Sequence, residues 1–315
     1  MKLNRIKVWL LVTVSGLLLV TPPIALFLDE PFYLTVIGRI MIFAIAALSL
    51  DLILGFGGMI SLGHAAYLGI GAYAVGILSF YGINNAWLQL PVAIFGSAIV
   101  AFIIGIICLR TSGIYFIMIT LAMTQLLYFL GISLETYGGD DGLPIDPSIF
   151  FEAFDLVDET NLYYLIFAFL VIITLFSWRL INSRFGVVIR GAQENEMRMH
   201  AIGFSTFRYK LLAFTIAGSM CGLSGFLYAN LNEFVTPEYM HWFRSGEIMI
   251  MVLVGGMGTL FGPLFGAAAY LLFEDIISGW TEHWMVIFGP LLVLLVLFAK
   301  KGLWGFLPDR DQNDA

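Results

Sequence analysis

Charge is the scarcest commodity in this chain. Asp, Glu, Lys and Arg make up 12% of it and apolar residues 60%, where a soluble domain carries about 25% charged residues. With several apolar runs of membrane-spanning length, that excludes an ordinary soluble fold and places the chain in the bilayer. Cysteine is nearly absent: Cys108 and Cys221 both sit inside apolar runs, with no metal or redox spacing. This excludes a disulfide framework and leaves them as small packing residues. The formal net charge is -7, which argues against a nucleic-acid partner. The sequence also lacks a P-loop, a Cys/His cluster and a nucleophile–base arrangement at recognisable spacing. Its apolar segments hold no carboxylate pair or chain of acids, which argues against a proton-driven carrier. No metal or cofactor is expected in this chain, it performs no bond chemistry, and any energy source lies outside it.

What is present is a series of apolar segments at about 8–28, 32–54, 58–80, 87–109, 113–134, 161–182, 209–231, 244–256, 260–274 and 283–299. They predict an all-α polytopic membrane protein of about ten spans, a single permease domain over 1–315. The first segment follows Lys2, Arg5 and Lys7 and looks like a signal peptide. Its 21 residues rise roughly 30 Å, the hydrocarbon thickness, and no small-residue cleavage site follows a short core. It is therefore expected to stay as an uncleaved first helix, interrupted at Pro22 and Pro23. Basic residues favour the cytoplasmic side. With the N-terminus inside, every Lys and Arg except Arg39 and Arg244 falls on the inner side. Both termini are then cytosolic and the acidic loop at 135–160 is external.

The longest polar stretch with several basic residues runs from Arg184 to Lys210. It reads as an amphipathic helix on the cytosolic side, with Gly203 free to take the left-handed backbone that ends a helix. Two readings stand: a docking element for a soluble partner, or an ordinary solvated loop between spans.

Two segments break the pattern of plain helices. The first, Leu54–Tyr73, opens with Gly55, Gly57 and Gly58 and carries Ser61 and His64; the second, Val254–Tyr270, carries Gly255, Gly256 and Gly258 with Pro263. Each interior Gly costs a helix about 1 kcal/mol against Ala, and Pro removes a donor. Both have a GGM start, a Ser-Leu or Thr-Leu step and an Ala/Gly-rich helix ending in Tyr, which points to an internal repeat. Irregular backbone at membrane depth survives only where it is buried in protein or lines a cavity. A matched pair therefore favours a translocation pathway over tight packing alone. Segments 244–256 and 260–274 read either as two tilted helices or as one re-entrant pair. Asp51 reads as reaching the inner interface, His64 as hydrogen-bonded, and Arg39, Arg244 and Glu247 as snorkelling near outer ends.

The order LSLDLILGFGGMISLGHAAYLGIGAY (48–73), LRTSGIYFIMITLAMTQLL (109–127), YGGDDGL (137–143), FGVVIRGAQENEMRMHAIGFSTFRYKLLAFTIAGSMCGLSGFLYA (185–229), IMIMVLVGGMGTLFGPLFGAAAY (248–270) and KKGLWG (300–305) resembles the LivM-type permease subunits of branched-chain amino acid ABC importers. The resemblance implies a bacterial inner-membrane subunit paired with a related second permease. It also implies two cytosolic ATPases, which bind ATP and Mg, and an external solute-binding protein. It makes 184–208 the cytosolic coupling segment, with Arg190, Gln193, Glu194, Asn195 and Glu196 toward the ATPase and Ala201 and Gly203 setting the following turn. Two departures, Asp51 where the family usually has Asn and Met59 where it usually has Gln, flank the first glycine break. Substrate preference could therefore differ from leucine, isoleucine and valine; related permeases carry urea, amides or other small organic solutes. The rivals are a proton- or sodium-coupled carrier using Asp51 and His64, and a passive channel with the glycine segments as its filter.

Overall fold

The computed structural model describes residues 5–28, 32–151 and 154–280, and beyond them positions 283, 286, 289–290 and 302–305. The tenth apolar segment, 283–299, lies outside the described residues but for isolated positions. In chain order the helices are α1 (Arg5–Leu28), α2 (Phe32–Leu54), α3 (His64–Phe80), α4 (Ala86–Cys108), α5 (Ile114–Ser133), α6 (Glu159–Ile181), α7 (Arg184–Glu194), α8 (Glu196–Ala201), α9 (Thr206–Asn232), α10 (Trp242–Gly255) and α11 (Gly262–Ser278). Among the described residues five, α2, α4, α5, α6 and α9, are long and apolar enough to cross a membrane. The glycine breaks cut their neighbours short. α3 starts only at His64, six residues later than hydropathy suggests, and α10 has 14 residues, about 21 Å against a hydrocarbon core of about 30 Å. α1 runs through Pro22 and Pro23 without interruption.

Apolar periodicity says little here, because helices apolar on every side can face either protein or lipid. Burial separates them. The apolar windows of α2 and α9 are 78% buried, whereas those of α4, α5 and α6 are 22–28% buried, so α2 and α9 form the centre. α9 packs closely because its contact stripe is small. A β-carbon on Gly222 would strike Ser97 of α4, and one on Gly225 would strike the Leu68 carbonyl of α3. Close backbone approach of this kind is how helices associate where burial of apolar surface gives no drive.

At the end of the bundle where α9 terminates, the acidic 135–160 loop is folded rather than loose. Strand β1 (Leu143–Pro144) pairs with β4 (Phe234–Val235), and β2 (Ile149–Phe151) pairs with β3 (Phe154–Asp155), both antiparallel. Ile149 N–H donates to the Asn84 carbonyl at 2.7 Å, and the Asn230 side chain at the end of α9 accepts from Ser148 N–H at 2.8 Å. The expected snorkelling charges pair instead. Arg39 reaches Glu274 at 3.3 Å and Asp275 at 3.5 Å, and Arg244 reaches Glu247 at 2.7 Å. The acids that neutralise Arg39 come from α11, which hydropathy alone places no nearer to α2 than any other helix.

Candidate functional site: the junction of two glycine breaks

α2 ends in a tight set of turns. Gly55 N–H and Phe56 N–H both donate to the Asp51 carbonyl, and Met59 N–H donates to Ile53. Gly58 then takes φ +67, a backbone state open to glycine at little cost. The second break repeats the device, with Gly256 at φ +118 and Gly258 at φ +73. Thr259 closes it, its hydroxyl donating to the Gly256 carbonyl at 2.6 Å and accepting from Gly262 N–H at 3.1 Å.

The two breaks meet. Asp51 Oδ1 accepts from Gly258 N–H at 2.8 Å, across 207 residues of sequence. A β-carbon on Gly55 would strike both Asp51 Oδ1 and Gly258 N, so the first break is a glycine because the second lies against it. Asp51 is fully buried and does not reach an interface. Its second oxygen, Oδ2, has no hydrogen-bond partner among the described residues. Nothing in an apolar run announces this. A third element completes the junction: the turn Gly302–Gly305 sits on the second break, with Gly302 close to Gly256 and Trp304 stacked on Phe265 at 5.2 Å.

Of the expected pathway residues, Gly55, Gly57, Gly58, Gly255, Gly256 and Gly258 therefore lie in these two abutting breaks. Ser61 and His64 have other partners. Ser61 Oγ accepts from Gly63 N–H at 3.2 Å. His64 is fully buried, with Nε2 2.7 Å from the Ser49 hydroxyl of α2. Its neighbour Ala65 donates to Ser245 of α10 at 2.9 Å. This corner fastens the start of α3 to α2 and α10.

The polar segment lies directly beneath the first break. Gln193 Nε2 donates to the Gly55 carbonyl at 3.1 Å, and the Gln193 Cγ would be 2.8 Å from a β-carbon on Gly58. The segment is two helices rather than one. Asn195 is extended at φ -158, ψ 99; its side chain accepts from Arg198 N–H at 2.9 Å and caps α8, a role for which Asn is among the best residues. Val188, Ala192 and Met199 pack together with Tyr209, folding α8 back on α7. Arg190 is exposed, but its guanidinium donates to the Gly186 carbonyl at 3.3 Å and to the Ile181 carbonyl at the end of α6 at 3.1 Å. Glu196 ties α8 to α9 by accepting from Thr206 Oγ1 at 2.8 Å and pairing with Lys210 at 2.7 Å. Burial works to raise the Glu196 carboxyl, but hydrogen bonds from Lys210 and Thr206 and the charges of Lys210 and His200 outweigh it and hold it below its ordinary range. Glu194, Asn195 and Ala201 are exposed. Gly203 is left-handed at φ +93 with open space beside it. Two apolar side chains that sequence reasoning passed over also face outward, Met197 at 84% and Ile202 at 63% exposed.

A family model described as the branched-chain amino acid transport system permease component matches residues 32–297. The chain is 29% identical over 287 residues to the "High-affinity branched-chain amino acid transport system permease protein LivM" of Salmonella typhimurium, covering 84% of this chain and 68% of that protein. It is 28% identical, with the same coverage, to the protein of that name from Escherichia coli strain K12. A weaker match, 22% over 142 residues, joins 42% of this chain to 43% of the "Probable branched-chain amino acid transport permease protein LivH" of Methanocaldococcus jannaschii. No solved structure matches the chain significantly. With a family model spanning most of its length, the chain belongs to the branched-chain amino acid transport system permease component family.

Proposed function

We propose that this chain is the substrate-conducting permease subunit of an ABC importer for branched-chain amino acids, working by alternating access. It crosses a bacterial inner membrane about ten times, with both termini and the 184–208 segment cytosolic and the 135–160 loop external. A related second permease completes the pathway, as the weaker likeness to a LivH protein suggests. Two cytosolic ATPases bind ATP and Mg, and a solute-binding protein docks outside. The observation that carries this reading is the Gln193–Gly55 hydrogen bond. It supports a path from the surface where an ATPase would push to the junction where the two breaks meet.

In the mechanism, ATP binding closes the ATPase pair and displaces α7 and α8. Gln193 transmits that displacement to the Gly55 carbonyl. The first break, held to the second by Asp51 and Gly258 N–H, shifts as α2 and α10 rearrange, and the pathway changes the side it faces. The chain itself contributes positioning and exclusion of water, not bond chemistry.

One observation favours a second reading. The unpartnered Asp51 Oδ2 is what a proton- or sodium-coupled carrier would use. Against it, Asp51 Oδ1 is tied to Gly258 N–H and His64 Nε2 to Ser49, and no hydrogen bond joins Asp51 to His64 among the described residues. Uptake in vesicles reconstituted with partner ATPases and binding protein separates the two. ATP-dependent leucine uptake that persists when proton and sodium gradients are collapsed supports the importer; uptake that follows a gradient without ATP overturns it. Competition by urea or amides in place of leucine would move the substrate class.

A further inference from the structure

The first glycine break opens on a cavity of about 300 Å³ between the turn joining α4 to α5, the polar segment and the start of α9. Gly57, Gly58 and the apolar side chains of Met59, Ile60, Phe116 and Ile117 line it. So do Gln193 and the Glu196–Lys210 ion pair, 2.7 Å between Oε2 and Nζ. The volume is at the lower end of the range of about 300–1,000 Å³ for small-molecule pockets, so it suits one small solute and not a nucleotide or peptide.

We infer that this cavity is a binding site for a zwitterionic aliphatic amino acid at the mouth of the pathway, on the side of the coupling segment. An α-amino acid carries an ammonium and a carboxylate on a single carbon. The Glu196–Lys210 pair presents the complementary charges at hydrogen-bonding separation. A zwitterion can exchange partners with that pair and leave no charge unmatched, whereas a ligand with one pole leaves one protein charge without its partner in a partly desolvated site. The branched side chain then lies on Met59, Ile60, Phe116 and Ile117. Glu196 is the first residue of α8, so drawing its carboxylate from Lys210 loosens α8 from α9. Occupancy is thereby felt in the segment that would engage the ATPase. The inference rests on the transport reading for its cargo and for which side is cytosolic.

The test is equilibrium binding of radiolabelled leucine to the full chain alone in lipid nanodiscs. Saturable binding is expected, displaced by isoleucine and valine. 4-Methylpentanoate and 3-methylbutylamine, which keep the branched chain but one pole each, are expected to compete at least tenfold less well. Glu196→Gln and Lys210→Met each weaken leucine binding about tenfold or more, as loss of a charge-assisted hydrogen bond requires, while Arg208→Gln outside the cavity leaves it unchanged. If the charge variants fail to fold, the competition series on the unaltered chain decides alone. No saturable binding, or equal displacement by the one-pole analogues, overturns the site. In reconstituted vesicles, leucine preloaded on the coupling-segment side that slows uptake assigns the site to the free pool; binding without slowing assigns it to departing cargo. ATP-driven leucine uptake with no binding to the chain alone removes this site and leaves the transport reading standing. Binding without ATP-driven uptake of any branched-chain amino acid does the reverse.

Discussion

The side-chain amide of Gln193 donates to the main-chain carbonyl of Gly55 at 3.1 Å, across 138 residues of sequence. A carbonyl at the end of α2 has lost its intrahelical partner because the helix stops there. A glutamine from a separate segment supplies the donor. The bond is therefore specific to the break: were α2 to continue as a helix, that carbonyl would be occupied.

Replacing Gln193 with Ala removes one neutral hydrogen bond, about 0.5–1.5 kcal/mol, too little to unfold the bundle. The expected outcome is several-fold slower uptake with assembly and ATP hydrolysis retained. Coupled uptake at the unaltered rate would show that the contact transmits nothing.

Asp51 separates into two roles. Asp51→Asn keeps an acceptor for Gly258 N–H, and transport should continue. Asp51→Leu leaves that N–H buried without a partner, at about 1–3 kcal/mol, so thermal stability in detergent and uptake should both fall. If Asp51→Asn abolishes uptake while the protein still assembles, the carboxylate itself is required and the ion-coupled reading gains.

The glycines were legible as a repeated GGM step, and the second glycine of each, Gly58 and Gly256, takes a positive φ. What joins them was not. An aspartate at the end of an apolar run reads as interfacial, and no local pattern reports that a backbone amide 207 residues away lies within reach. The division between α7 and α8 was hidden for another reason. Asn195 sits inside a run of polar residues where a capping Asn is indistinguishable from a solvated one until its backbone is seen to be extended. The ion pairs of Arg39 with Glu274 and Asp275 depended on which helices neighbour α2, and that depends on tertiary packing alone.

The same contrast gives a stability test. Gly55→Ala places a methyl on Asp51 Oδ1 and Gly258 N, and overpacking of this kind costs about 1–3 kcal/mol. Gly246→Ala, with nothing within 4 Å, gains helix propensity of up to about 1 kcal/mol. Thermal unfolding in detergent should therefore move down for the first variant and stay or rise for the second. Equal behaviour would mean the breaks do not abut as described.

The Glu196 tie has a pH signature. Its carboxyl is held below the ordinary range, so the stability it contributes is complete above the unfolded glutamate value of about 4.3 and is lost as pH falls through the lower folded value. Spin labels at Met197 and Phe207 should report a fixed α8–α9 separation at pH 5 that loosens only below about pH 4. In Glu196→Gln that carboxylate transition should be absent. Loosening that persists unchanged in Glu196→Gln would show that another contact holds α8 to α9.

The last prediction concerns the face that α7 and α8 present outward. Met197 is 84% exposed and Ile202 63%, beside the exposed charges of Glu194 and Arg198. Apolar side chains rimmed by charge are the anatomy of a protein interface, with the anchors supplying most of the energy. Arg190 and Glu196, by contrast, already hold partners within the chain. Met197→Glu with Ile202→Glu should therefore abolish co-purification with the partner ATPases while the chain remains inserted and keeps its thermal stability. Gly203→Val should act by a different route. The space beside Gly203 is open, but φ +93 is a backbone state that a β-branched residue resists, so α8 should be misdirected with no steric clash. Size-exclusion chromatography reads assembly in both cases, and ATP hydrolysis against uptake reads coupling. If the glutamate variant assembles and transports normally, α7 and α8 form a solvated loop, and the path from Gln193 to the junction has no partner to drive it.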